Sequence, residues 1–179
     1  MKSFFTRRLL DEISEVISKE KVKTIIDIGC GEGYPDNFLL AHNPLLKIVG
    51  IDIDCRAIDM ARKKNPGIKY EEGDIYNLSG KENGFDLALV LEVLEHLGDA
   101  EKAVQEVKKV APRAIFSVPQ EPLFSMASFV SGNCVKSGGK HPDHINFWDK
   151  DSFRKLLQKE YIEVETKTVF PWIIAYCRK

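Results

Sequence analysis

The chain carries three glycines at alternate positions, Gly29, Gly31 and Gly33, directly after a short apolar run. The run, Thr24–Ile28, is rich in β-branched residues, which is typical of a buried strand. Closely spaced glycines form a tight turn that a ligand can approach, because no side chain stands in the way. The spacing therefore predicts that a small ligand binds at the end of this first strand.

A second apolar run, Lys47–Asp52, ends in a carboxylate that suits a ribose, because one carboxylate can accept hydrogen bonds from two neighbouring hydroxyls. Dinucleotide cofactors of oxidoreductases use the spacing G-x-G-x-x-G. This chain instead has G-x-G-x-G, with Glu32 inside the turn, where its charge would repel a pyrophosphate. S-adenosylmethionine has no phosphate and carries a positive sulfur, so the pattern favours it. A nucleotide-binding oxidoreductase of Rossmann type is the alternative.

The composition fits one domain with a hydrophobic core, since the chain has 179 residues of which 44% are hydrophobic and 30% charged. A net charge of -1 excludes a global basic field for nucleic acid. No apolar run approaches the roughly 20 residues of a membrane span. The widely spaced Cys30, Cys55, Cys134 and Cys177 argue against a zinc ribbon or a disulfide framework. The N-terminal residues lack a signal peptide's apolar region, so we expect a cytoplasmic protein.

Strands and helices alternate along the first two thirds of the chain, which predicts parallel βαβ units. We expect an α/β, Rossmann-like fold whose seven-stranded, mostly parallel sheet has helices on both faces and a C-terminal antiparallel hairpin. The predicted strands are 24–28, 48–52, a short third strand with its exit within 68–74, 85–91, 114–118, 163–170 and 173–178. One domain over 1–179 would comprise an N-terminal helix (1–20), a cofactor-binding core (24–118), a substrate lid insert (120–149) and a closing helix and hairpin (150–179).

Four segments of the predicted core resemble, in order, the motifs of class I S-adenosylmethionine-dependent methyltransferases of the type 11/12 kind. They are the glycine turn at 25–33, the acidic strand end at 49–52, the segment 72–75 and the fourth strand with its exit at 85–97. The resemblance implies an enzyme that displaces a methyl group in line from sulfur to a nucleophile. In such enzymes the cofactor brings the chemistry, and the protein supplies position and electrostatics.

The resemblance also implies a cofactor-binding role for ten residues at the predicted strand ends. The glycine turn would contact the methionine part, Asp52 the ribose hydroxyls and Asp74 the adenine amine. Two isoleucines would pack on the adenine ring, and Leu91 or Glu92, at the end of the fourth strand, would lie near the sulfonium. The ten are Asp27, Gly29, Cys30, Gly31, Asp52, Ile53, Asp74, Ile75, Leu91 and Glu92. We expect Asp54 to cap the next helix instead.

An acidic cluster with a histidine follows the fourth predicted strand. Glu92, Glu95 and His96 are spaced i, i+3 and i+4, so on a helix they would share one face. With His144 as a fourth ligand, they could hold Mg²⁺ or Mn²⁺, which would lower the pKa of a coordinated hydroxyl. The alternative is a metal-free enzyme with a structural histidine, in which His141 or His144 is the general base.

The cluster is similar to those of ubiquinone-pathway O-methyltransferases and of small-RNA 3′-terminal 2′-O-methyltransferases. The latter also have a later Asp-His pair followed by aromatics, which the segment 143–148 partly resembles. The insert lacks the interleaved basic and aromatic residues of an RNA surface. We therefore favour a small-molecule acceptor with an oxygen nucleophile. The alternatives are a metal-assisted RNA 2′-O-methyltransferase and a protein that binds the cofactor without turnover.

Overall fold

The computed structural model describes residues 4–78, 84–120 and 144–179. Most of the predicted lid insert lies outside these ranges. The elements, in chain order, are α1 (Phe4–Lys19), β1 (Thr24–Ile28), α2 (Tyr34–His42), β2 (Lys47–Asp52), α3 (Cys55–Lys64), β3 (Lys69–Glu72), β4 (Leu87–Leu91), a 3₁₀ turn (Leu94–His96), α4 (Ala100–Val110), β5 (Arg113–Pro119), α5 (Lys150–Leu157), β6 (Glu163–Val169) and β7 (Trp172–Arg178).

The seven strands form one sheet in the order β3-β2-β1-β4-β5-β7-β6. Strands β1 to β5 pair in parallel, and β7 lies antiparallel between β5 and β6. This confirms the predicted fold, including the closing hairpin. The chain leaves β1 towards β2 and β3 and then returns to its other side with β4. In open α/β sheets, ligands bind outside the carboxyl ends of the strands at such a switch point.

Hydrophobic layers cover both faces of the sheet. On one face, Ile25 of β1 packs in a cluster with Ile13 of α1 and with side chains of α2 and α3. On the other face, Ile26 packs in a cluster with Val107 of α4 and Phe153 of α5. Successive strand residues point to opposite faces, so a strand covered on both sides is apolar at nearly every position. This explains the continuous apolar runs that predicted the strands.

Side-chain caps begin α3, α4 and α5. The carboxylate of Asp54 accepts a hydrogen bond from the N–H of Arg56 at 2.9 Å, so Asp54 caps α3 as predicted. Asp99 caps α4 in the same manner, accepting from the N–H of Lys102 at 2.9 Å. Asp149 forms a reciprocal capping box at the start of α5. These caps satisfy N–H groups that have no partner within a helix.

The third strand and its exit agree with the prediction, because β3 ends at Glu72 and the chain then turns. The N–H of Gly73 donates to the carbonyl of Asp52 at 3.0 Å, and the Asp74 carboxylate accepts from the N–H of Tyr76 at 2.9 Å. Both contacts curl the segment back over the end of β2. Asp74 therefore lies on a loop beside Asp52 and not on the strand itself.

A glycine in the middle of β2 makes room for a tyrosine of β3. The two residues, Gly50 and Tyr70, are register partners. A Cβ added at Gly50 would lie 2.5 Å from two ring carbons of Tyr70 and 2.9 Å from the sulfur of Cys30. The ring can therefore lie flat on the strand, and its hydroxyl reaches the buried carboxylate of Asp36 at 2.9 Å.

Replacing Gly50 with alanine is expected to lower the free energy of unfolding by about 1–3 kcal/mol, because the added methyl overlaps the Tyr70 ring. Urea denaturation measures the change. Gly67→Ala is the control, since its Cβ meets nothing within 4 Å. The control should stay within about 0.5 kcal/mol of the parent. Equal losses for both variants would contradict the close-packing explanation.

Candidate active site

The glycine turn between β1 and α2 has backbone φ angles that residues with a side chain rarely adopt. Gly29, Gly31 and Gly33 have φ angles of 78°, 53° and 73°, which lie in the left-handed region that favours glycine. A Cβ added at Gly29 would lie 2.4 Å from a methyl carbon of Val93, whereas one at Gly31 would meet nothing within 4 Å. The turn is thus packed at its first glycine and open at its second.

The Asp52 carboxylate at the end of β2 holds this turn in place. One oxygen accepts a hydrogen bond from the N–H of Gly31 at 2.8 Å, and the other accepts from the N–H of Asp54 at 2.9 Å. Each carboxylate oxygen can accept a second hydrogen bond. Asp52 is therefore fixed by the backbone and still has capacity to accept from two ribose hydroxyls.

Glu32, inside the turn, is directed away from it. Its carboxylate pairs with the ammonium of Lys64 at the end of α3, and both side chains are about half exposed. Such a surface pair contributes little to stability. Its effect is to draw the Glu32 charge towards α3.

A cavity of about 400 Å³ lies at the carboxyl ends of the strands beside this turn. The volume falls within the roughly 300–1,000 Å³ range of small-molecule sites. Its lining is Ile28, Gly29, Asp52, Ile53, Gly73, Asp74, Ile75, Tyr76, Glu92, Val93, His96 and Leu97. Six of the ten residues predicted to bind the cofactor are in this set: Gly29, Asp52, Ile53, Asp74, Ile75 and Glu92.

The other four predicted residues do not line the cavity. Asp27 and Cys30 are buried beneath the turn, and Leu91 packs against the hydrophobic cluster that contains α1. Gly31 borders the site through its N–H, which is bonded to Asp52. Of these four, only Gly31 is placed to contact a bound ligand directly.

Sequence reasoning missed four apolar side chains of the lining: Ile28 at the end of β1 and, in loops, Tyr76, Val93 and Leu97. The Tyr76 hydroxyl accepts a hydrogen bond from the N–H of Asp99 at 3.0 Å, which fixes the ring at the cavity wall. Each of the three loop residues lies within three residues of a predicted motif residue. An apolar residue in a loop was the signal that could have identified them.

Glu92 lies where β4, β5 and β7 meet. Its φ of 57° is in the left-handed region, which is uncommon for a residue with a side chain. Its carboxylate accepts hydrogen bonds from the Ser117 hydroxyl at 3.1 Å and from the Trp172 indole N–H. Burial raises the pKa of Glu92 well above its usual range, and the charge of Glu95 raises it further. Sequence reasoning found neither Ser117 nor Trp172.

The 3₁₀ turn after β4 brings a carboxylate and two imidazoles together. Ligand atoms of Glu95, His96 and His144 all lie within 4.8 Å of one another, and the two imidazole rings meet edge-on with centroids 4.9 Å apart. Glu95 is 1% exposed, and neither carboxylate oxygen has a hydrogen-bond partner among the described residues. Burial raises the pKa of Glu95 to about 7, while the neighbouring His96 lowers it.

Backbone contacts hold the segment that carries His144 against this turn. The N–H groups of Ile145 and Asn146 donate to the carbonyl of Glu95 at 2.9 and 3.1 Å. The Asn146 side chain donates to the carbonyls of Leu94 and Leu97 at 3.1 and 2.6 Å. His144 is therefore placed by its neighbours in the chain, and the three-residue cluster follows from that docking.

The structure brings together three of the four predicted metal ligands. The fourth, Glu92, is directed to Ser117 and Trp172, because its left-handed backbone breaks the helical spacing on which the prediction relied. The expected helix is instead the short 3₁₀ turn. His141, the other predicted histidine, lies outside the described residues.

A family model described as a methyltransferase domain matches residues 26–115, half of the chain. The chain belongs to the class I S-adenosylmethionine-dependent methyltransferases. The matched region of this methyltransferase domain contains the glycine turn, Asp52, Asp74 and the Glu92–His96 segment, which together form the cavity and most of the cluster.

Curated relatives of this methyltransferase domain differ in acceptor. A probable S-adenosylmethionine-dependent methyltransferase of Mycolicibacterium smegmatis is 26% identical over 144 residues, covering 80% of this chain and 53% of the relative. Norajmaline N-methyltransferase of Rauvolfia serpentina is 33% identical over 98 residues, covering 51% of this chain and 33% of the relative. Ubiquinone biosynthesis O-methyltransferase of Coxiella burnetii is 29% identical over 89 residues, covering 48% and 37%. The matches thus span about a third to a half of these relatives.

Among solved structures, the methyltransferase domain of a bacterial CtHen1 superposes with a TM-score of 0.80 at 20% identity. The match covers 97% of this chain and 98% of that domain, which establishes the shared fold. Within the described part of the methyltransferase domain, no helix is long and apolar enough to cross a membrane.

Asp52→Asn is expected to weaken binding of S-adenosylhomocysteine about tenfold or more. An asparagine would set an NH₂ group against one of two backbone N–H donors, which costs about 1–3 kcal/mol. Isothermal titration calorimetry measures the affinity. Asp54→Asn is the matched control, since asparagine is also a good helix cap. The same loss in both variants would show that Asp52 acts through folding alone.

Proposed function

We propose that the chain transfers the methyl group of S-adenosylmethionine to the oxygen of a small-molecule acceptor. The observation that carries this proposal is the position of His96, which lines the cavity and also belongs to the cluster with Glu95 and His144. A hydroxyl acceptor must lose its proton as it is methylated, so a proton acceptor or a cation has to stand beside the methyl donor.

Two segments that contact residues of the cavity lining, 144–149 through Leu97 and 170–172 through Glu92, favour an acceptor with an apolar body. The N–H of Gln120 donates to the carbonyl of Pro171 at 2.9 Å, so the β6–β7 turn lies close to the end of β5. An isolated β-bridge between Gln120 and Trp148 places the segment 144–149 beside the end of β5 as well. The exposed apolar side chains on these segments are Ile145, Phe147 and Phe170.

The described segments beside the cavity are poor in basic residues that could bind a polyanion. Among the described residues, the segments 92–99, 144–149 and 170–172 contain no lysine or arginine, and the ammonium of Lys102 lies over the ring of Tyr76, 5.4 Å from its centroid. RNA recognition relies on cations placed against phosphates. This composition supports a small molecule over an RNA acceptor.

Some residues of the site position the cofactor, and another removes the proton of the acceptor hydroxyl. When bound, S-adenosylmethionine supplies a methyl group activated by positive sulfur. Asp52 orients the ribose and Gly31 leaves space for the methionine part. His144, the predicted general base, accepts the proton of the acceptor hydroxyl as the new C–O bond forms and the C–S bond breaks.

This proposal is tested by incubating the protein with methyl-labelled S-adenosylmethionine and cell lysate. The small-molecule, protein and RNA fractions are then separated and their label is measured. We expect label in the small-molecule fraction. His144→Ala should lower the rate about 100-fold or more, because general-base catalysis contributes about that factor. His42→Ala, at the far end of α2, is the matched control and should keep the rate. Label confined to RNA would overturn the small-molecule acceptor.

As the alternative to His144 acting as the base, we propose that Glu95, His96 and His144 hold Mg²⁺ or Mn²⁺, in which case His144 binds the cation and does not accept the proton. Support comes from Glu95, whose buried carboxylate oxygens have no hydrogen-bond partner among the described residues, since an unpaired buried carboxylate is costly. Carboxylate and imidazole ligands together suit Mn²⁺. The cation would supply a lowered pKa at the acceptor hydroxyl.

Electron paramagnetic resonance of free Mn²⁺ measures this binding without reference to activity. Glu95→Gln is expected to weaken Mn²⁺ binding about tenfold or more, because it removes the anionic ligand. Glu101→Gln, on the exposed start of α4, is the control and should bind like the parent. If the parent protein does not bind Mn²⁺ and keeps full activity in excess chelator, the metal proposal is wrong and His144 is left as the base.

A further inference from the structure

The carbonyls of the 3₁₀ turn after β4 accept hydrogen bonds from a distant part of the chain. The N–H groups of Ile145 and Asn146 both donate to the carbonyl of Glu95, at 2.9 and 3.1 Å. The Asn146 amide donates to the carbonyl of Leu94, where the turn begins, at 3.1 Å and to that of Leu97, directly after the turn, at 2.6 Å. A helical turn this short leaves carbonyls at its end without partners in the turn. Residues 145 and 146 supply those partners.

The link between the turn and the segment 144–149 depends on the amide group of Asn146. An NH₂ group has two N–H donors, and the carbonyls of Leu94 and Leu97 accept one each. An aspartate at position 146 would have nearly the same size and shape. Its carboxylate has no donor, however, and would face both carbonyls with a negative charge. The change Asn146→Asp therefore breaks the link with little change in volume.

The same turn also forms part of the wall of the cofactor cavity. Val93 directly before it, His96 within it and Leu97 directly after it all line the cavity. Val93 packs against the glycine turn as well, because a Cβ added at Gly29 would lie 2.4 Å from one of its methyl carbons. A ligand that fills the cavity would therefore contact the turn through these side chains, while Asn146 holds the turn through its carbonyls.

We infer that Asn146 is a positioning residue that couples occupancy of the cofactor cavity to docking of the segment 144–149. A bound cofactor and a docked segment stabilise the same conformation of the turn, so each favours the other by the same factor. The inference rests on the proposed function in that the segment carries His144, the proposed base or cation ligand. Cofactor binding thereby holds His144 in place for the acceptor. Asn146 itself does not contact the reacting atoms.

The far end of the segment is held by contacts that do not involve the turn. Trp148 forms the isolated β-bridge with Gln120, and its ring centroid lies 5.7 Å from that of Phe153 in α5. Asp149 forms the capping box of α5. Loss of the Asn146 donors should therefore release the part of the segment near His144 and leave the part that joins α5 in place.

Asn146→Asp tests the coupling through the affinity for S-adenosylhomocysteine, measured by isothermal titration calorimetry. The affinity should fall about fivefold or more, although position 146 does not line the cavity. Asn146→Ala, which removes the donors without adding a charge, should weaken binding in the same direction. Asn43→Asp is the matched control, because the amide of Asn43, at the end of α2, is also half-buried and donates to the Ser14 hydroxyl at 3.3 Å. The control should bind like the parent.

Hydrogen exchange detected by NMR measures the same coupling in the other direction. Saturating S-adenosylhomocysteine should slow exchange of the Ile145 and Asn146 amides in the parent. The factor should be similar to the loss of affinity in Asn146→Asp, because coupling between two sites is reciprocal. The amide of Leu46, in the turn before β2 at the amino ends of the strands, is the reference and should not respond. Retained protection of strand amides in the variant would show that it is folded.

Two outcomes separate this inference from the proposed function. If the parent binds S-adenosylhomocysteine, but exchange at residues 145 and 146 does not respond and Asn146→Asp binds as the parent does, the inference is wrong. Asn146 is then a structural contact only, and the proposed function stands. If both effects are found and His144→Ala keeps the parent rate, the coupling is confirmed and the proposed base is wrong.

Discussion

The Asp52 carboxylate is the contact on which the geometry of the site depends. It accepts one hydrogen bond from the glycine turn and another from the start of the next loop, so it links the exits of β1 and β2. The turn has left-handed φ angles at all three glycines, and such a backbone needs an external contact to hold it. Charged acceptors form stronger hydrogen bonds to backbone N–H groups than neutral acceptors do. The same carboxylate thereby shapes the site and faces the ligand.

Negative charge concentrates around this turn, although the whole chain is nearly neutral. Asp27 and Asp36 lie below it, Asp52 and Asp74 lie beside it, and Glu32 is drawn away to Lys64. A phosphate-bearing cofactor would be repelled by such a field. A sulfonium with an ammonium group is attracted by it. The field therefore gives a physical reason for the cofactor class that the family match establishes.

Much of the fold follows from local sequence signals, because helix caps, glycine turns and apolar periodicity act over a few residues. Asp54 and Asp99 are examples of caps that follow from their position before a helical pattern. The features that local sequence signals did not predict are long-range contacts. The indole of Trp172 reaches Glu92 across 80 positions, and only the insertion of β7 between β5 and β6 brings them together. No periodicity in the sequence encodes that contact.

The backbone of Glu92 explains why the acidic cluster divides in two. A left-handed residue with a side chain costs of order 1–3 kcal/mol and persists only where its surroundings enforce it. Here Ser117 and Trp172 hold the carboxylate, and the N–H of Glu92 donates to the Ser117 carbonyl at 3.1 Å. Both carboxylate oxygens of Glu95 are left without a side-chain partner among the described residues. Burial raises the pKa of Glu95, and the charge of Glu95 adds to the effect of burial in raising the pKa of Glu92. A buried carboxyl in that position needs either a proton or a cation. Under the proposed function, the two imidazoles beside it would serve either as the remaining ligands of a cation or as the base for a proton, so the hydrogen bonds to Glu92 limit what the rest of the cluster can do.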